Sequence, residues 1–206
     1  MPQQLSLPGL QATAELFDPD IPAQRGRSQH YKLFFALFLP PGQPQRLADG
    51  ASALCLQHGL IGEPIAVDRL HVTLHVVDDL RDTIPLAMVD AARAAAATVD
   101  CPPLHIAFDQ VLSFQPNHAF VLRCDARSDA AIARLRHTLT LALRRVGLRT
   151  APSRTPHMTL LYGKRSIPAQ HIEPLRWTAL EFALVLSHTR RSHHQRIDRW
   201  PLVGRS

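Results

Sequence analysis

Two tetrapeptides share one pattern in a chain of 206 residues, HVTL at 71–74 and HMTL at 157–160. With 12 histidines in the chain, chance predicts roughly a tenth of one HxTL match, so two copies point to one local structure built twice. Histidine's ordinary pKa of about 6.5 lets it give or take a proton near neutral pH, and a pair can do both in one displacement. Threonine hydroxyls can donate hydrogen bonds to the non-bridging oxygens of a phosphate and stabilise charge that develops there. His71 and His157 are therefore the candidate acid and base, and Thr73 and Thr159 the candidate phosphate-binding residues. This chemistry calls for no metal ion and no other cofactor.

The motifs work this way only if they are strands. Wound as a helix, HVTLH (71–75) would set His71 and His75 one turn apart, as zinc-binding helices do, but the glutamate that HExxH places after its first histidine is missing. Val72, Thr73, Val76 and Val77 are β-branched and favour extended backbone. Pro156, just before His157, suits an extended entry better than a helix interior. At about 3.3 Å per residue a strand holds His71 and His75 roughly 13 Å apart, too far to share one ion. Strict alternation would put His71, Thr73 and His75 on one face, with Val72 and Leu74 on the other. Met158 and Leu160 would likewise face the core.

Around these strands, the chain reads as one α/β domain of α+β type. Residues 1–30 lack periodicity and read as a flexible leader, and a single domain is expected over 31–206. YKLFFALFL (31–39) is a buried strand closed by two prolines. Helical spacing joins Leu47, Ala51, Leu54 and Cys55, with Gly59 as the stop. A second helix is expected across 84–100, with Pro85 in its first turn. A third carries the stripe Ile132, Leu135, Leu139, Ala142 and Val146, with Ser128 as N-cap and Gly147 at the stop. Further strands are expected at 104–113, 118–124, 157–162 and 180–187. The turn at 115–117 makes the sheet mostly antiparallel or mixed.

Lys and Arg total 23 against 17 Asp and Glu, a formal charge of +6, which favours a polyanionic partner such as RNA. Three widely spaced cysteines, without a CxxC pair, argue against a disulfide framework and a cysteine zinc site. No apolar run approaches the roughly 20 residues of a membrane helix. The expected setting is the cytoplasm, without membrane attachment and as a monomer.

At these residues the sequence resembles the 2H phosphoesterase superfamily, specifically its LigT-like RNA 2′,3′-cyclic phosphodiesterases, also called 2′-5′ RNA ligases. The resemblance rests on His71, Thr73 and Leu74, on Pro156, His157, Thr159 and Leu160, on the opening KLFFALFLP, and on the wide separation of the motifs. It extends from about Tyr31 to Leu202. It implies a bilobal, pseudo-symmetric fold of two mostly antiparallel sheets with outer helices around a central cleft. It also implies hydrolysis of RNA 2′,3′-cyclic phosphate ends to 2′-phosphomonoesters without a cofactor, His71 protonating the leaving oxygen and His157 activating water. Three departures stand out: VVD (76–78) replaces FLG, Tyr162 stands where a basic residue often follows the second motif, and HQRIDRW replaces an aromatic near the last strand.

Arg154, Lys164 and Arg165 are candidates for the displaced positive charge, and Phe35 for stacking on a base. Arg190, Arg191, His193, His194 and Arg196 form a basic run that reads as a solvated loop or as a grip on a phosphate backbone. Two rival functions remain at this point. An RNA-binding module without turnover would not need both histidines, and a histidine-rich metal-binding protein would need the helical HVTLH together with SHH (192–194).

Overall fold

Large apolar residues fill both faces of the first strand, β1 (His30–Phe38). Leu33, Phe35 and Leu37 enter the main core, while Phe34, Ala36 and Phe38 join Ala183 and Val185 in a smaller apolar cluster on the opposite face. Burial on both sides is what gives the segment its continuous apolar sequence. The structure is a computed structural model that describes residues 30–40, 42–149, 151–152, 155–188 and 193–204. The expected leader, apart from His30, lies outside the described residues.

One sheet of ten strands organises the chain. At its centre lie the two motif strands, β3 (His71–Arg81) and β7 (His157–Gly163). Outward from β3 run β1, β9 (Glu181–His188) and β10 (His193–Pro201); outward from β7 run β5 (Ala119–Cys124), β4 (Leu104–Phe114) and β8 (Gln170–Ala179). Short strands β2 (Gly62–Pro64) and β6 (Ala151–Pro152) pair with β7 and β3. Every pairing among the described residues is antiparallel. The result is the expected α+β, mostly antiparallel architecture, with two runs of four strands meeting at β3 and β7 in one continuous sheet.

Helix α1 spans Gln43–Gln57, α2 Leu86–Ala96 and α3 Ala126–Arg145. On α3 the residues Ile132, Leu135, Leu139, Ala142 and Leu143 are buried in the main core. This helix packs on α2 and on β3, β4 and β5, so that face of the sheet is covered. Val89, Ala92, Ala95 and Ala96 of α2 are buried as well.

Three expectations need correcting. The N-cap of α3 is Asp125, whose carboxylate accepts the Ser128 N–H at 2.7 Å, and Ser128 instead accepts the Ala107 N–H through its hydroxyl. Hydrogen bonding from the Ser128 side chain, with that backbone bond adding to it, holds the Asp125 carboxyl below the usual range. Strands β8 and β10 carry polar sequences, QHIEPLRWTA and HHQRIDRWP, and were not expected. Consequently the run containing His193, His194 and Arg196 is not a solvated loop but an edge strand, while Arg190 and Arg191 lie outside the described residues. Gly59 and Gly147 do stop their helices, with φ of 57° and 82°, a region that favours glycine. No helix among the described residues is long and apolar enough to cross a membrane.

Candidate active site

Both motifs are strands, so the helical zinc reading of HVTLH fails. Val72, Leu74, Met158 and Leu160 are buried in the core, and His71, Thr73, His157 and Thr159 stand half-buried on the opposite face. The strands join through the pair Val72–Met158. Continued one residue each way, that antiparallel register sets His71 across from Thr159 and Thr73 across from His157. Each histidine thus has a threonine of the other motif beside it.

The face does not include His75. In the pairing with β1, Phe35 faces His75 and Ala36 faces Thr73, which leaves Leu74 as the extra residue of a bulge. Alternation is broken there, and His75 turns inward to 0% exposure. Its Nε2 lies 2.9 Å from the Arg136 carbonyl oxygen and 3.2 Å from the Thr140 hydroxyl on α3. The buried Arg136 also donates from Nη2 to the Thr73 carbonyl at 2.6 Å, bracing β3 from behind. The second motif repeats the device, because β5 pairs Phe120 with Leu161 and Val121 with Thr159, leaving Leu160 unpaired.

The catalytic candidates are held alike. Nδ1 of His71 is 2.6 Å from the Arg69 carbonyl oxygen, and Nδ1 of His157 is 2.8 Å from that of Thr155, in each case two residues upstream. A carbonyl only accepts, so this contact assigns the proton to Nδ1 and leaves Nε2 for chemistry. Burial pushes the His71 imidazole down to about 4, and the neighbouring His157, Arg69 and Arg196 act in the same direction. Burial also lowers His157, with Arg136 adding to the effect. Each ring therefore loses its proton more readily than an exposed histidine.

Around His71 the wall is aromatic. Its ring lies 5.2 Å from Phe34, 5.6 Å from Phe38 and 5.2 Å from His194. The Arg196 guanidinium sits 3.9 Å over the Phe38 ring. His157 has an edge-on Phe114 at 4.7 Å. On the β5 strand beside it, Arg123 pairs with His157 as Phe38 pairs with His71 on β1.

The remaining candidates are scattered. Phe35 is wholly buried against Phe182 and Trp200, so it cannot stack on a base; Phe34 and Phe38, themselves only 3% and 6% exposed, pack beside the His71 ring on the other face of β1. Lys164 and Arg165 are exposed in the bend beyond β7, roughly 20 Å along the chain direction from His157. Arg154 lies outside the described residues. The sequence reading missed Phe34, Phe38, Phe114 and Arg123. Alternation from Leu33 puts Phe34 and Phe38 together on one face, but only a known sheet order tells which face carries the motifs. Among the described residues no three of His, Cys, Asp and Glu cluster as metal ligands would.

The 2′-5′ RNA ligase superfamily model matches residues 40–201. Among solved structures, E. coli LigT in apo form aligns with 84% of this chain and 98% of its own, at 21% identity and a TM-score of 0.63. TT0787 of Thermus thermophilus aligns with 85% of this chain and 100% of its own, at 18% identity and a TM-score of 0.59. The MHV ns2 PDE domain aligns with 76% and 98% of the two chains, at 17% identity and a TM-score of 0.50. No curated protein sequence matches the chain significantly. With the family model spanning most of the sequence and the repeated HxTL strands meeting at the centre of a fold like that of E. coli LigT, the chain belongs to the 2′-5′ RNA ligase superfamily.

Proposed function

We propose that the protein hydrolyses the terminal 2′,3′-cyclic phosphate of RNA to a 2′-phosphomonoester by a two-histidine mechanism that uses no metal ion. The observation that carries this reading is the matched pair: His71 and His157 occupy equivalent places on strands joined at Val72–Met158, each with Nδ1 bound to a carbonyl two residues upstream. Such a pair is preorganised to work through two Nε2 atoms.

In the direction the resemblance implies, His157 Nε2 takes a proton from water as the water oxygen bonds to phosphorus. The P–O3′ bond breaks, and His71 Nε2–H delivers a proton to the leaving 3′ oxygen. Thr73 and Thr159 donate to the non-bridging oxygens, whose charge grows in the transition state. Each cycle moves one proton from His71 to His157, and exchange with solvent resets the pair. A 5′-hydroxyl in place of water would form a 2′-5′ linkage by the same proton movements. Arg69 and Arg196 bring positive charge to the His71 side. E. coli LigT, which shares the fold, has been seen complexed with 3′-AMP and with phosphate, and this supports a nucleotide phosphate as the ligand. The proposed setting is the cytoplasm, with the protein acting as a monomer.

The test is incubation with an oligonucleotide ending in a 2′,3′-cyclic phosphate, in the presence of a chelator, followed by mapping of the product. A 2′-phosphate is expected. A 3′-phosphate, or tight binding of the intact end without turnover, would contradict the reading.

A further inference from the structure

The two halves of the sheet treat their histidines differently. Beside His71 stands Phe38, and Arg196, resting on that ring, is further committed by a bond from Nη2 to the Asp68 carbonyl oxygen at 3.4 Å. Beside His157 stands Arg123, in direct register on β5. Residues opposite one another in an antiparallel pair project from the same face. The neighbours Leu122 and Met158 are wholly buried on the core face, so Arg123 shares the outer face with His157 and is exposed there. Its guanidinium makes no ion pair and no side-chain hydrogen bond among the described residues.

The same register continues outward. Gln110 of β4 pairs with Arg123, and the exposed His171 of edge strand β8 pairs with Gln110. A polar row, His157, Arg123, Gln110 and His171, therefore runs from the motif to the sheet edge across strands about 4.8 Å apart. Of the carboxylates close by, Asp125 is engaged in capping α3, and Asp109 is the extra residue of the β4 bulge, with Oδ1 buried. Tyr162 pairs with Ala119 and is 52% exposed, so β7 itself carries no cation beyond His157 on this face.

We propose that Arg123, assisted by Gln110, binds the phosphodiester that precedes the cyclic end, so that the preferred substrate is an RNA strand rather than a cyclic mononucleotide. A guanidinium presents a planar fork of donors suited to phosphate oxygens, and the amide of Gln110 adds a neutral donor beside it. The cleft then has two functions on its two sides: the aromatic wall of Phe34 and Phe38 flanks the reacting end at His71, and the polar row beyond His157 receives the strand. The proposal rests on the cyclic-phosphate reading for its substrate, but binding can be measured without turnover.

The experiment uses the full chain and its Arg123→Gln and Arg123→Lys variants, with melting curves as a check on folding. Binding is read with a fluorescent tetranucleotide ending in a 3′-phosphate, and turnover with a cyclic-ended tetranucleotide and a cyclic mononucleotide. Arg123→Gln is expected to weaken tetranucleotide binding about tenfold and to flatten its salt dependence by about one counterion, with Arg123→Lys keeping part of the affinity. The turnover preference for tetranucleotide over mononucleotide should shrink by a similar factor. Unchanged tetranucleotide binding, or equal losses on both substrates, would overturn the proposal. If neither cyclic substrate is turned over by the native chain while binding still depends on Arg123, the hydrolytic reading fails and the strand track stands.

Discussion

Leu74 and Leu160 are each the extra residue of a β-bulge, at the same position of the two motif strands. Each bulge sends the following residue inward as well, so that His75 and Leu161 are both buried. The repeat in the sequence is thus a repeat of backbone geometry: two residues that face the site and then a kink that returns the strand to the core.

His75 should accordingly behave as a structural residue. His75→Ala leaves the Arg136 carbonyl with one donor fewer and opens space beside α3, which is expected to lower stability by about 1 to 3 kcal/mol. Melting should shift down while turnover per folded molecule is retained. Loss of turnover with an unchanged melting midpoint would place His75 in the chemistry.

Activity should peak on the acid side of neutrality. A working pair needs one charged and one neutral imidazole, and in the free protein that form is most abundant between the pKa of His71, about 4, and that of His157, which lies below 6.5. The kcat/KM profile is therefore expected to be a bell whose alkaline limb falls below pH 6.5, through the lowered pKa of His157. A bound phosphate anion favours the charged forms, so the kcat profile should sit at higher pH. In the free pair His71 is the more depressed, and its role as proton donor requires the anion to recharge it. Imidazole resonances followed by NMR during titration with inorganic phosphate should show the His71 pKa rising; a His71 that stays neutral while His157 is charged would reverse the two roles.

Stability should fall with pH over the same range. His71, His75, His157 and His194 all have folded-state values below their ordinary one, chiefly through burial. The unfolded chain then takes up protons first as pH drops below about 6.5, and the stability they provide, fully present above that value, is lost toward the folded pKa of each, about 4 for His71 and about 3 for His194. Denaturant midpoints measured from pH 7.5 to 4 should decline steadily. The His194→Phe variant, which keeps a ring of similar bulk beside His71, should show a shallower decline.

The threonines supply donors and no proton transfer. Thr73→Val and Thr159→Val are each expected to reduce kcat/KM by on the order of 2 to 3 kcal/mol of transition-state stabilisation, with folding preserved. Equal and larger losses in KM alone would mean that the hydroxyls hold the ground state only.

Most of the candidate site was legible because its signal is local. His71, Thr73, His157 and Thr159 are fixed by a tetrapeptide whose β-branched and apolar residues choose a strand and a face. The sheet's edges were not legible, because β8 and β10 are polar strands whose pairing partners are distant in sequence. For the same reason Arg123 passed unnoticed: its place beside His157 depends on the β5–β7 register. His75 was misplaced because alternation carries no mark of a bulge, and the only trace is that Leu74 and His75 must both be buried. Phe35 illustrates the converse error, a real aromatic strand in which the phase of the faces follows from the sheet's position in the fold.

The central claim is that His71 and His157 act as one relay, and it is tested most directly by melting curves and turnover of a cyclic-ended oligonucleotide on the same preparations of His71→Ala, His157→Ala and the double variant. The expected result is that all three fold, that each single variant loses nearly all activity, and that the double variant loses little more, because either change breaks the same proton transfer. A folded, fully active His157→Ala, or losses that follow unfolding alone, would contradict it.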